Sequence, residues 1–272
     1  MHPGQIGTLT ASIAPVGSFD ATADELAKSG VCVARGACNE GVCAACLLEV
    51  LAALDRMLSL PASMNATACD RHFVRFATSL AANVVEAPAH RRDFMVPLAP
   101  WVRAVLNAAL AGQLGEVLTH VLGREAQLSE LTAITSEPGA VEQAFHSDTN
   151  WNATDARRLT VFIALHDLLD EALGPTSFVP RTHAPHCFPD DRWLPPTTAR
   201  CAGHHAIWFA LRAGDAILFD PCTWHRGGAN ASIAGERRTL LAVTFVEPAA
   251  LGGDISAGTL WLRDFVGPCG DP

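Results

Sequence analysis

The chain has 272 residues and a mass of 28.8 kDa, with 19 basic against 28 acidic side chains and a formal charge of −9. That balance argues against nucleic acid or an anionic membrane surface as partner, and 49% apolar with 17% charged residues excludes an intrinsically disordered chain. No stretch reaches the roughly 18 uninterrupted apolar residues of a membrane span, and no basic-then-apolar export signal opens the sequence.

Nine cysteines, an odd number, fit free thiols in a reducing compartment, so the expectation is a cytoplasmic protein. Lys28 is the single lysine, and any task needing a cation falls to arginine.

In chain order, Asp20 can cap a helix through Lys28, and Asn39 can open a longer one from about Glu40 to Leu60, stopped by Pro61. A third apolar-periodic segment runs from Trp101 to Leu122 and ends at Gly123. From about Ala126 the texture changes to short β-like runs between turn residues. Candidate strands are Leu128–Ser136, Glu142–His146, Leu159–Leu165, Thr176–Val179, Asp215–Phe219 and Thr239–Val246. Strands at this spacing, without intervening helices, predict an antiparallel sandwich or barrel rather than a parallel α/β sheet. The expectation is a single domain over 1–272, mainly β with flanking helices. It comprises a helix-rich part at 1–125, a β-core at 126–250 and a C-terminal extension at 251–272.

Three features carry chemistry. His146 and Asp148 stand at i and i+2 at the end of a predicted strand, where both can turn to one face and bind one metal. His225 follows the turn and apolar strand Gly214–Phe219. Two imidazoles and one carboxylate are the facial triad that holds Fe(II) and leaves the opposite face open. Finally, Arg237 and Arg238 begin an apolar strand, where a guanidinium could grip a carboxylate in a bidentate fork.

From about Ser136 to Val246 the chain resembles the phytanoyl-CoA dioxygenase family of Fe(II)/2-oxoglutarate oxygenases. The matching text is Glu137-Pro-Gly-Ala-Val-Glu-Gln-Ala-Phe-His-Ser-Asp148, Phe162-Ile-Ala-Leu165, Gly174-Pro-Thr-Ser-Phe-Val-Pro-Arg-Thr-His183, Asp215-Ala-Ile-Leu-Phe-Asp220 through His225, Asn230-Ala-Ser232 and Arg238. The resemblance implies a double-stranded β-helix, the cupin-like jelly roll, packed against the N-terminal helices. It implies His146, Asp148 and His225 as catalytic iron ligands, with 2-oxoglutarate and O2 as cosubstrates. Arg238 matches the arginine that holds the far carboxylate of 2-oxoglutarate, with Arg237 as the alternative. Gln143, Thr176 and Arg91 match further cosubstrate contacts. Relatives with an Arg-x-Ser pair carry a hydroxyl where this chain has Leu240, so that partner must come from elsewhere, with Thr176 and Thr160 as candidates. Halogenating relatives replace the carboxylate ligand with a small residue, and Asp148 therefore favours hydroxylation or another C–H oxidation of a small organic molecule. No protein partner is implied.

Trp151, three residues past Asp148, reads either as a wall of the substrate pocket or as a core tryptophan. Cys38, Cys43 and Cys46, with Cys69, match part of a [2Fe–2S] spacing, but their Ala- and Leu-rich surroundings read as helix and favour free buried thiols. Two rivals to the oxygenase are open: a barrel that has lost catalysis and only binds, and a cupin-like metalloenzyme that needs no 2-oxoglutarate.

Overall fold

The computed structural model describes residues 7–12, 19–59, 90–152, 156–248 and 260–266. Pro61 and Cys69 lie outside the described residues, as does the Asp20 side chain.

The strand sequences are apolar on both faces, and the fold shows why. One sheet has six strands: β1 is the short N-terminal strand Gly7–Ser12 of the other sheet, and the six are β2 (Val31–Ala34), β8 (Ala216–Phe219), β5 (Arg158–Ala164), β10 (Arg238–Val246), β4 (Gln127–Ser136) and β3 (Arg91–Met95), in that order and all antiparallel. Along β10, Leu241, Val243 and Phe245 point outward to a core built with the helices. Leu240 and Ala242 point inward, against Ile134, Phe162, Ile217 and Phe219. A strand covered on both sides has no polar face to expose, so alternation vanishes from its sequence.

The helices that cover the outer face are α1 (Phe19–Ser29), α2 (Glu40–Leu58), α3 (Pro100–Leu110) and α4 (Gln113–Leu122). Asn39 caps α2 as its sequence suggests, its side chain accepting from the Gly41 N–H at 2.8 Å. Val50, Leu54, Val105, Leu106, Val117 and Leu118 are fully buried there, each worth roughly 1.5–3 kcal/mol of transfer free energy. Cys43 and Cys46 belong to this same core. The segment 101–122, read as one helix, is two helices meeting at 80°. Gly112, extended at φ −117 and ψ −150, breaks it. Helix α1 begins at Phe19, so Asp20 lies inside it rather than at its cap.

The smaller sheet, β1–β7–β6–β9, joins β1 to β7 (His205–Phe209), β6 (Thr176–Val179) and β9 (Trp224–Gly227), with β1 parallel to β7. Packed on the inner face of the larger sheet, it closes the jelly roll through Phe178 and Phe209. A short helix, α5 (Thr198–Cys201), precedes β7.

Two sequence expectations need correction. Glu142–His146 is no strand: its backbone bonds to the β9 backbone only at Gln143 N–H with the Gly227 carbonyl and at His146, three residues apart, which cannot build a regular ladder. The N-terminal part also supplies strands, since β2 and β3 form the two edges of the six-stranded sheet. Arg35 and Asp215 tie it to the core through a 2.7 Å ion pair, reinforced by the Gly36 N–H on the same carboxylate.

Candidate active site

His146 and His225 are brought together by backbone. Each N–H donates to the other's carbonyl, at 2.9 and 2.8 Å, so the two residues form a single antiparallel bridge between the loop before Asp148 and the start of β9. Pro221 O accepts the Asp148 N–H at 2.9 Å and turns that carboxylate toward the pair. The three side chains converge: Nε2 of His146 and of His225 lie 3.8 and 3.5 Å from the same Asp148 oxygen.

Both rings are held in the tautomer a metal needs. Nδ1 of His225 faces the Thr223 carbonyl at 2.8 Å and Nδ1 of His146 faces the Ala144 carbonyl at 3.0 Å. With Nδ1–H donating, each Nε2 turns a lone pair inward. Phe178 stacks on the His225 ring at 5.8 Å, and Phe219 meets it edge-on. Burial, with help from the neighbouring His225, pushes His146 down to about 4, so its imidazole is neutral at neutral pH. Burial also opposes charge on Asp148 and His225, but their mutual attraction prevails: the carboxyl is held below its usual range and the imidazole above it. The three ligand atoms lie within 4.8 Å of one another, a donor set that could hold a divalent ion such as iron.

These residues line one end of a cavity of about 260 Å³ between the two sheets. Arg91, Arg238, Gln143 and Thr176 line it as well, all buried. Arg91, Ser136 and Arg238 form one row across β3, β4 and β10. Arg238 is 1% exposed; its guanidinium donates to the Gly174 carbonyl, the Thr176 hydroxyl and the Ser136 hydroxyl, while Nε has no partner. Arg91 donates through Nη2 to the Val141 and Gly228 carbonyls, leaving Nε and Nη1 without partners. Among the described residues neither guanidinium forms an ion pair. Burial pushes Arg91 down to about 10 and Arg238 to about 9, the latter also repelled by Arg91.

Two buried cations without a carboxylate are a costly arrangement unless an anion arrives. A dianion such as 2-oxoglutarate fits this end of the cavity, and the unsatisfied N–H groups show where its oxygens would be received. Gly227 leaves room for the cradle. A Cβ there would sit 2.3 Å from Arg91 Nη1 and 2.6 Å from Gln143 Oε1. Gln143 is fixed by accepting the Gly227 N–H at 2.8 Å.

Arg237 is placed elsewhere, bridging Asp55 at 2.7 Å and Glu137 at 3.1 Å on the surface. Of the two hydroxyls considered as partners for the anchor, Thr176 contacts Arg238, whereas Thr160 bonds to Thr244 at 3.0 Å. Trp151 is 40% exposed and lines neither this cavity nor the second one beside it. Ser136 escaped the sequence reading, and only the register of β4 against β10 reveals it. Asp93, Glu130 and Thr132 also line the cavity without having been singled out. Asp93 stands two residues past Arg91, the same-face spacing in a strand, which could have signalled it.

Comparison with known proteins places the chain in a fold and a family. The chain is 34% identical over 116 residues to the dioxygenase cdmA of Talaromyces verruculosus, a match covering 39% of this chain and about a third (36%) of that protein. Its fold is similar to that of the epimerase SnoN, solved with Fe3+, alpha ketoglutarate and nogalamycin RO, at a TM-score of 0.60 and 19% identity over 90% of this chain and 98% of SnoN. AviO1 from Streptomyces viridochromogenes Tue57 is similar at a TM-score of 0.62 and 18% identity, over 89% of this chain and all of that one (100%). The phytanoyl-CoA dioxygenase (PhyH) family model matches residues 26–239, from within α1 to the start of β10. The chain therefore belongs to the phytanoyl-CoA dioxygenase family.

Proposed function

We propose that the protein is a non-haem Fe(II), 2-oxoglutarate-dependent oxygenase that oxidises a C–H bond of a small organic molecule. The observation that carries this reading is the pairing, in one cavity, of a two-His, one-carboxylate set with two buried guanidiniums that have no carboxylate partner among the described residues. Bound Fe(II) with 2-oxoglutarate would supply the oxidising chemistry, coupling O2 reduction and decarboxylation to removal of hydrogen from the substrate, with succinate and CO2 released.

The chain's own residues do the positioning. His146, Asp148 and His225 would hold the metal. Arg238, with Ser136 and Thr176 beside it, would receive the far carboxylate. Arg91, which lies close enough to both His146 and Arg238 to perturb each, would serve the end nearer the metal. Ile134, Phe162 and Ala242 close the inner wall and exclude water from the reacting end.

The decisive assay is anaerobic addition of Fe(II) and 2-oxoglutarate, read as the visible metal-to-ligand charge-transfer band. The band is expected in the wild type and lost in Asp148→Ala. Its absence in wild-type protein shown to contain iron would defeat the cosubstrate role. Succinate release in air then tests turnover.

A further inference from the structure

Beyond the cosubstrate end, the cavity carries two carboxylates to which the reaction assigns no task. Asp93 on β3 and Glu130 on β4 both line it, and Glu130 also lines a second cavity of about 600 Å³ that shares Thr132, Asp148 and Thr160 with the first. Asp93 is 5% exposed, and its Oδ1 has no hydrogen-bond partner. The Thr132 hydroxyl, 1% exposed and also without a hydrogen bond of good geometry, lies on the same inner face. Glu130 accepts from the Thr244 hydroxyl at 3.1 Å. Neither acid meets a cation among the described residues: Arg92 pairs with Glu137 on the other face of β3, and the exposed Arg158, which lines the outer cavity, forms no ion pair.

The charges of the cosubstrate end leave these acids unmatched. Arg91 and Arg238 together balance a dianion, and neither is then free to neutralise Asp93 or Glu130. Burial of Asp93 and partial burial of Glu130 raise both carboxyls, Asp93 to about 7, against the opposing pull of the Thr132 hydroxyl on Asp93 and of the Thr244 hydroxyl on Glu130. Glu130 and Asp148 raise Asp93 further, and Asp148 raises Glu130. Asp93 is a buried carboxylate short of partners, a site waiting for a donor, whereas Glu130 is solvent-exposed and stands where the two cavities meet. The outer cavity that leads to them is walled by Val96, Leu128, Pro221 and Val246, which suit a hydrocarbon body.

We propose that the substrate is an organic amine, its protonated nitrogen received by Asp93 and Glu130 and its apolar body lying in the outer cavity. This rests on the oxygenase reading and names its substrate class. Electrostatics at long range agree, since a chain of net charge −9 attracts cations.

The test uses the full chain loaded anaerobically with Fe(II) and 2-oxoglutarate. It is titrated with matched pairs, 2-phenylethylamine against 2-phenylethanol and cyclohexylmethylamine against cyclohexylmethanol. Binding is read from the perturbation of the charge-transfer band. The amine of at least one pair should bind about tenfold or more tightly than its alcohol. That preference should collapse toward parity in Asp93→Asn and Glu130→Gln, which keep the side-chain shapes. The proposal fails if the alcohols bind as well as the amines, if no amine perturbs the band at millimolar concentration, or if both variants keep the preference. Should the band never form, it is the oxygenase reading that falls. The same pairs are then compared by thermal shift of the metal-free protein, which needs neither iron nor oxoglutarate: the proposal fails there if the alcohols stabilise as much as the amines, if no amine shifts the midpoint at millimolar concentration, or if both variants keep the preference.

Discussion

Arg91 and Arg238 face one another across β4, with Ser136 between them in register, and among the described residues both guanidiniums are buried without a counter-ion. The protein has thus spent stability on a pair of like charges whose repulsion is relieved only when an anion enters. A structural role would have placed an acid beside one of them, as Asp215 stands beside Arg35.

It follows that a dicarboxylate should stabilise the folded protein strongly. In thermal unfolding, 2-oxoglutarate at a hundredfold excess over its Kd is expected to add about 2.7 kcal/mol. Acetate, with one charge, should do far less. In Arg238→Met the dianion's Kd should rise about a hundredfold, as two charge-assisted hydrogen bonds are lost. Equal stabilisation of wild type and variant by 2-oxoglutarate would show that the anchor is elsewhere.

Gly227 makes a finer test. Adding one methyl group places a Cβ within 2.3 Å of Arg91 Nη1 and 2.6 Å of Gln143 Oε1, so both side chains must shift. Gly227→Ala is expected to raise the KM for 2-oxoglutarate about tenfold while iron binding through the three ligands holds, since small displacements of positioning groups carry large kinetic penalties. An unchanged KM, measured by succinate formation, would mean that Arg91 and Gln143 do not cradle the cosubstrate. Gly214→Ala acts on the fold instead. Its Cβ would lie 1.9 Å from the Cys38 carbonyl oxygen at a φ of +88, which has no soft way out, and loss of soluble folded protein is expected.

How far the sequence spoke depended on what kind of contact made each feature. His146, Asp148 and His225 stood out because their residue types and spacing are chemistry; the start of the apolar strand offered Arg237 and Arg238 alike, and only the family resemblance favoured Arg238. Short strands and their turns gave an antiparallel sandwich or barrel, and the family resemblance narrowed it to the jelly roll. What stayed hidden was non-local. Ser136 earns its place only through pairing of β4 with β3 and β10. β2 and β3 sit in a helix-rich stretch and become strands by joining sheet edges, a tertiary effect that propensity does not carry. The break at Gly112 lies inside an unbroken apolar period, which a single glycine interrupts only because α3 and α4 must wrap different parts of one core.

Metal affinity should follow the protonation of His225. Its imidazole is raised by Asp148, whereas His146 is already neutral above about 4. A metal must displace the His225 proton, so affinity should increase with pH until that raised value is passed and then level off. Calorimetry in two buffers of different ionisation enthalpy would register proton release on the acidic side and none above it. Asp148→Ala removes both the anionic ligand and the cause of the raised imidazole. It should lower iron content to under about a tenth and abolish the proton release together.

The acid at Asp93 makes an independent prediction about stability. Its folded value of about 7 lies above its ordinary value of 3.8. Between these two values the unfolded chain has released the proton that the folded chain keeps, so stability falls as pH rises through this window, and the full cost is present above about 7. Asp93→Asn cannot ionise. At pH below 3.8 it should be about as stable as wild type, and above about 7 it should be more stable by roughly 2–4 kcal/mol, read from urea unfolding at both ends. A smaller slope remains in the variant, because burial also raises Glu130 and holds Asp220 at about 6. The gain in stability should come with a loss of amine preference, so one substitution separates what the site costs the empty protein from what it does for a ligand. If Asp93→Asn proves no more stable than wild type in neutral and alkaline solution, the carboxylate already has a counter-charge, and its availability to a substrate nitrogen falls with it.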